Sequence, residues 1–237
     1  MFKGHSSQKV DFQARVMLIE HPVHGLILID TGYSHRVRQN GLVSWLYNRL
    51  NPITFNPEDA IRSQLVRDKI EPDSVHTIIL THLHPDHIGG VYDFPHTKLV
   101  MSVESEGLIK KSGLRDMIFK NQIGPDVQER ITAYTLENKT PLTGFSGEDL
   151  YGDGSVWLIG LPGHAHGQLG VYLPEVQLFY IGDAVWDLNY LIKDMRYFPR
   201  KVQNDYNTYM DTIGKLQTLK GVQIISTHGD EVYIHAE

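Results

Sequence analysis

Positions 81 to 87 read Thr-His-Leu-His-Pro-Asp-His, and no other stretch of the chain constrains the fold as tightly. The heptad follows an apolar, β-branched run, Val75 to Leu80, so the chain is predicted to arrive along a short buried strand that stops at the histidines. Three imidazoles and a carboxylate then fall within six positions. Side chains on an extended backbone alternate faces with a period of two, so His82 and His84 project the same way and can grip one ion. Pro85 turns the chain, which aims Asp86 and His87 at a second ion beside the first. Packing alone supplies no reason to crowd these groups into one turn, since a core histidine satisfied by hydrogen bonds ordinarily occurs alone.

The rest of the composition narrows the chemistry. The 237 residues contain no cysteine, which removes disulfides, thiolate nucleophiles and zinc-thiolate sites together and leaves His and carboxylate as the strong metal ligands. A net charge of −6 offers no general attraction to phosphate backbones or anionic lipid, so neither a nucleic-acid nor a membrane partner is expected. Apolar residues at 41% and charged residues at 21% suit a folded globular chain, expected as one domain over 1–237. Met1 to Val10 has no apolar core of signal-peptide length and no later stretch reaches membrane-spanning length, which makes the cytoplasm the expected address.

Along the chain, Ala14–Ile19 and Leu26–Ile29 read as a hairpin around Gly25, ending in the polar turn Asp30-Thr31-Gly32. Helical spacing of apolar positions predicts helices over Val37–Leu50 and Pro57–Lys69, the second capped by Asn56. A strand is predicted over Lys98–Val103, followed across 104–150 by a helix and loosely patterned polar chain. Val156–Leu161, Leu169–Leu173 and Gln177–Ile181 suit a β-meander, and a helix over about Asn204–Leu219 leads to a last buried strand, Val222–Ser226. Strands, helices, strands, helix and strand in that order suit two sheets covered by helices.

Three further strand ends carry candidate ligands. His164 follows Leu161-Pro162-Gly163, Asp183 follows Ile181-Gly182, and His228 follows Ser226-Thr227. Any one of them alone is an ordinary loop residue. Together with the heptad they make a ligand set.

This set resembles the metallo-β-lactamase superfamily, whose signature is a His-x-His-x-Asp-His loop plus a later His, a later Asp and a last His. The turn at Leu28-Ile29-Asp30-Thr31-Gly32 resembles its first motif, and His87-Ile88-Gly89-Gly90 extends the central one. The resemblance implies an α/β chain folded as a four-layer α/β/β/α sandwich. It also implies two divalent ions, zinc being expected and iron or manganese the alternatives. His82, His84 and His164 would hold the first ion, Asp86, His87 and His228 the second, and Asp183 would bridge. Asp30 matches a position that orients a neighbouring imidazole, although a strand-end cap is an equal reading. The implied mechanism is hydrolysis by a metal-bridging hydroxide, with Asp86 as the catalytic residue that orients the water or shuttles its proton.

Overall spacing is most similar to the compact lactonase branch, so a small ester or lactone is the expected substrate. Those lactonases carry a substrate-binding tyrosine three residues after the bridging Asp, whereas this chain has Trp186 there. Trp186, packing against an acyl chain or the core, and Tyr190 are therefore candidate pocket residues, within an aromatic and basic loop running to Arg200. His166 is expected to be exposed or supporting, and His5, His21, His24, His35, His76, His96 and His235 to lie on the surface. The alternatives are a phosphodiesterase or nuclease on the same scaffold, an iron-dependent redox protein, or a metal-binding protein without turnover. The sequence leaves the oligomeric state open.

Overall fold

The computed structural model describes residues 12–39, 41–111, 113, 116–191, 200–229 and 233–234. The chain divides into two compact units, one formed by Val16–Met101 with Ser105–Ala133, the other by Ser102–Glu104 and Tyr134–Glu237 with the segment ending at Arg15.

The first unit is a five-stranded sheet whose strands lie side by side in chain order. β1 (Met17–His21) and β2 (Gly25–Ile29) form the expected hairpin, with Met17 opposite Ile29. β2 then runs parallel to β3 (Val75–Ile79), which runs parallel to β4 (Lys98–Ser102). A parallel pair needs a long crossover. Here the chain between β2 and β3 supplies it, carrying α1 (Gly41–Leu50) and α2 (Ile61–Arg67). Ile27, Leu28, Ile29, Ile78 and Ile79 are all fully buried, the near-continuous apolar run that central parallel strands require. Each such side chain contributes roughly 1.5–3 kcal/mol by leaving water. Ile29 is in register with Ile79, and the Asp30 N–H donates to the Ile79 carbonyl at 2.8 Å. Asp30 and the histidine heptad therefore leave the sheet at the same edge.

The second unit is a seven-stranded sheet in which each strand lies beside the next one in the chain. Its centre is the predicted meander, β8 (Trp157–Gly160), β9 (Leu169–Leu173) and β10 (Leu178–Tyr180), with β10 parallel to β11 (Gln223–Ile225). Two antiparallel steps return β10 to the direction of β8, so β8, β10 and β11 all point at one edge. That edge receives the segments leading to His164, Asp183 and His228. Helix α6 (Tyr206–Leu216) packs Tyr209, Ile213 and Leu216 into the same apolar core as Leu161, Phe179 and Ile224.

Several boundaries differ from the sequence expectation, each for a local reason. The helix expected over Val37–Leu50 is a 3-10 turn, His35–Arg38, followed by α1 from Gly41. The one expected over Pro57–Lys69 is split by Ala60, whose extended backbone (ψ 136°) separates a Pro57–Asp59 turn from α2. Asn56 stands at the N-cap of that turn, its backbone N–H and its side-chain amide both donating to Asp59 Oδ2, at 2.9 and 3.1 Å. The loosely patterned stretch contains α4 (Val103–Lys111), α5 (Pro125–Gln128), β5 (Ile131–Tyr134), β6 (Asn138–Lys139) and β7 (Ser146–Asp149). These strands are short and β6 and β7 are polar, so they carry no apolar alternation to read. β12 (Tyr233–Ile234) was not foreseen either. Among the described residues no helix is long and apolar enough to cross a membrane.

Candidate metal centre

In the first unit the heptad sits where β3 ends. Pro85 opens the one-turn helix α3 (Pro85–Ile88), its ring presetting the helical backbone angle, and His84 precedes it in extended conformation. His82 Nε2 and His84 Nδ1 face each other at 2.9 Å. His87 Nε2 lies 3.6 Å from Asp86 Oδ2. His82, Asp86 and His87 are buried and His84 is half-buried.

Asp30 holds this turn from behind. Its Oδ1 accepts from the Thr81 N–H at 2.8 Å, and its Oδ2 accepts from Thr81 Oγ1 and from His87 Nδ1, both at 2.8 Å. Complete burial pushes the Asp30 carboxyl above the ordinary carboxylate range, opposed by the adjacent His87 and the Thr81 donors. All three contacts use donors, so they suit the ionised form. Asp30 takes the left-handed region, φ 61°, which a short polar residue tolerates best after glycine. It is thus both readings at once, a cap on the strand end and the group that orients His87.

Thr81 Oγ1 gives its proton to Asp30, which leaves an oxygen able to accept from His82 Nδ1 at 3.2 Å. With Nδ1 so committed, His82 presents Nε2 toward His84.

In the second unit the same pattern recurs with different partners. His164 Nδ1 lies 2.9 Å from Gln203 Oε1, and His228 Nδ1 lies 2.6 Å from the Gln13 backbone carbonyl. Carbonyl oxygens only accept, so both rings carry their proton on Nδ1 and present Nε2. Both Nε2 atoms reach one oxygen: Asp183 Oδ2 is 3.0 Å from His228 and 3.5 Å from His164. The turn that aims His164 depends on Gly163, at φ 128°, where a Cβ would lie 2.3 Å from the Tyr209 Cα. The Gly163 and His164 carbonyls accept from the backbone N–H groups of Asp205 and Asn204, both at 3.0 Å, tying the turn to the start of α6.

Trp186 does not act through its ring alone. Its indole N–H donates to Asp183 Oδ2 at 3.0 Å, a use of this side chain that its sequence position did not reveal. The ring is half-buried, with Phe12, His164 and His228 edge-on at 5.9, 5.7 and 6.1 Å between centroids. The Tyr190 side chain and residues 192–199 of the proposed pocket loop lie outside the described residues. Arg200, at the end of that loop, stacks its guanidinium over Tyr206 at 4.8 Å.

His166 is exposed, as are His35, His76 and His96. His21 and His24 are half-buried, and His21 Nδ1 accepts from the Val23 and His24 N–H groups to close the hairpin turn. His5 and His235 lie outside the described residues. Sequence reasoning missed Gln203 and the Gln13 carbonyl. A glutamine in a connector carries no distinguishing signal, and a backbone oxygen carries none at all.

The donor chemistry fits divalent cations. A zinc–nitrogen bond of about 2.0–2.1 Å allows two imidazoles on one ion to bring their nitrogens within about 4.2 Å, and the N···N and N···O separations within each unit fall inside that limit. Sheets that deliver back-bonded imidazoles and carboxylates to their strand ends, without thiols, define an α/β metal-binding protein. The profile of the Metallo-beta-lactamase superfamily matches residues 10–228, and the chain belongs to that superfamily and has its fold.

A probable metallo-hydrolase of Mycobacterium bovis is 32% identical over 72% of this chain and 56% of its own length. The N-acyl homoserine lactonase AttM of Azorhizobium caulinodans is 25% identical over 98% of this chain and 88% of its own. The acyl-coenzyme A thioesterase MBLAC2 of Bos taurus is 24% identical over 55% of this chain and 50% of its own. The chain therefore spans about half the length of the mycobacterial and bovine relatives. Among solved structures, an N-acyl homoserine lactone hydrolase with N-hexanoyl-L-homoserine at its catalytic metal centre superposes with a TM-score of 0.74 at 19% identity, covering 97% of this chain and 86% of that one. The dizinc lactonase AidC gives 0.65 at 19% identity over 93% and 74%.

Proposed function

We propose that this chain is a metal-dependent hydrolase, a single domain in which the two ligand sets combine around two divalent ions, zinc foremost, to open a small ester or lactone. The observation that carries the reading is the outer hydrogen bonding. His87, His164 and His228 each have Nδ1 committed to a fixed acceptor, so each holds out Nε2, the arrangement that orients and strengthens a metal-ligating imidazole. In this reading His82, His84 and His164 would hold one ion and Asp86, His87 and His228 the other, with Asp183 the ligand that both would share. Such a pair of ions, when bound, makes water acidic enough to attack at neutral pH and polarises the substrate oxygen.

The side chains have the remaining work. Asp86, fixed by the Pro85 turn, orients the attacking water, accepts its proton and returns it to the departing oxygen. Asp183 is held by the Trp186 N–H, and the Trp186 ring offers an apolar wall. Similarity to a lactonase over nearly the whole chain and to an acyl-coenzyme A thioesterase over half of it favours an acyl substrate over a phosphodiester.

The test is metal content by elemental analysis together with turnover of matched lactone, thioester and phosphodiester substrates. The expectation is about two zinc ions per chain and preference for the lactone or ester. His84→Ala is expected to lose both metal and turnover while remaining folded. Full activity at normal metal content in that variant would remove the assignment, and iron with O₂ consumption would replace it with redox chemistry.

A further inference from the structure

Helix α1 turns an apolar side to water. Leu42, Trp45 and Leu46 are 77%, 62% and 53% exposed, and at spacings of three and four residues they form one patch on the helix. Apolar side chains scattered singly over a surface are ordinary, but three adjacent ones, one of them an indole, mark a contact surface. The opposite side of the helix is already used. Ser44 and Tyr47 are buried there, and Tyr47 packs with Val37 and Phe119, the Phe119 ring lying edge-on at 5.2 Å. Rotating α1 to hide the patch would expose that packed side instead.

The charges around the patch indicate what it meets. The chain as a whole carries −6, yet from Thr31 to Pro57 it contains no Asp or Glu. Arg49 is exposed four residues beyond Trp45, so it extends the same helical face, and Arg38 is exposed in the turn that precedes α1. Lys120 adds an exposed cation on a turn tied to this region: its neighbour Phe119 touches Tyr47, and the Asn121 side chain donates to the Arg36 carbonyl at 3.2 Å. Arg36 does not join them, since its guanidinium lies over the Tyr92 ring at 4.0 Å and its charge acts on Asp93. Asp116, the carboxylate nearest Lys120 in sequence, closes its own turn by accepting from the Gly113 N–H at 2.7 Å.

We propose that the exposed face of α1, flanked by Arg38, Arg49 and Lys120, docks on an anionic lipid surface. Leu42, Trp45 and Leu46 enter the boundary between headgroups and acyl chains, the depth that an amphipathic indole favours, while the three cations meet lipid phosphates. The overall negative charge does not oppose this, because attraction to a charged membrane is local and decays within a Debye length, about 8 Å at physiological salt. A second copy of this chain suits the face less well. A two-fold contact through α1 would set arginine against arginine, with no carboxylate between Asp30 and Glu58 to pair them. Docking of this kind does not depend on what the metal centre hydrolyses.

The experiment is co-sedimentation of the 237-residue chain with vesicles of phosphatidylcholine alone and of phosphatidylcholine mixed with phosphatidylglycerol, each at low and at physiological salt. Quenching of tryptophan emission by brominated acyl chains reads the depth of insertion. The expected result is binding to the anionic vesicles that weakens as salt is raised, little binding to the neutral ones, and quenching that is lost in Trp45→Phe. Arg49→Gln is expected to lower vesicle affinity about fivefold. Leu46→Ser is expected to lower it at least about tenfold. Both side chains are exposed, so Tm should stay at the wild-type value in each variant. Absence of binding to anionic vesicles at low salt, equal binding to both vesicle types, or full binding by Leu46→Ser and Arg49→Gln overturns the proposal. So does a dimer in sedimentation velocity that Leu46→Ser dissociates, which would give the face to a second copy.

Discussion

His87 Nδ1 lies 2.8 Å from Asp30 Oδ2, and both side chains are fully buried. This places a carboxylate from the end of β2 behind an imidazole from the turn after β3, with Thr81 donating twice to the same carboxylate. The carboxylate accepts on both oxygens, and an amide has only one acceptor.

Asp30→Asn exploits that difference. Asparagine tolerates the left-handed backbone at this position, so the substitution leaves conformational strain nearly unchanged and isolates the hydrogen bonds. Whichever way the amide turns, its NH₂ meets either the Thr81 N–H or the His87 N–H, donor against donor. Loss of such an outer partner weakens metal binding or activity about 10- to 100-fold. Zinc titration and kcat/KM on the preferred ester are the measurements, and unchanged zinc affinity would show that Asp30 serves only as the strand cap.

The legibility of this chain in sequence follows what each residue has to do. The heptad, His164, Asp183 and His228 stand at the ends of apolar runs, and the meander and the β1–β2 hairpin have residue patterns that match their burial. β6 and β7 were illegible because Asn138–Lys139 and Ser146–Asp149 pair through backbone atoms while offering polar side chains. Helix ends slipped where one residue, Ala60, adopts an extended backbone that no side-chain pattern announces. Supporting contacts were the least visible, since Gln203 reaches His164 across 39 positions of sequence.

Trp186→Phe tests the one indole placed among the ligands of the second unit. Phenylalanine keeps a ring near Phe12, His164 and His228 but deletes the donor to Asp183 Oδ2. Charge-assisted hydrogen bonds contribute about 1.5–3 kcal/mol, so zinc affinity is expected to fall roughly tenfold or more. The same variant carries an optical control. Of the three tryptophans, Trp45 is largely exposed and Trp157 spends its N–H on the Gly154 carbonyl, so the emission change that accompanies zinc loading is expected to come from Trp186. It should vanish in Trp186→Phe; an undiminished change would detach the indole from the metal centre.

Asp205 links the pH dependence of folding to the His164 turn. It caps α6, its Oδ1 accepting from the Asn207 and Thr208 N–H groups at 2.9 and 3.1 Å, and the Thr208 bond above all holds its carboxyl below the ordinary range. A carboxylate whose pKa is lower folded than unfolded adds stability that is complete above the unfolded value and disappears as pH falls through the folded one. Asp205→Ala is therefore expected to melt below wild type at pH 7, with the gap closing as the pH is taken down through the acidic range. Because Asn204 and Asp205 also donate backbone N–H groups to His164 and Gly163, fraying of the first turn of α6 should reach the turn that presents His164. Tm against pH for the two proteins, with zinc affinity measured alongside at pH 7, checks both parts. A gap in Tm that stays constant into acid would mean the cap acts through something other than the charge of the carboxylate.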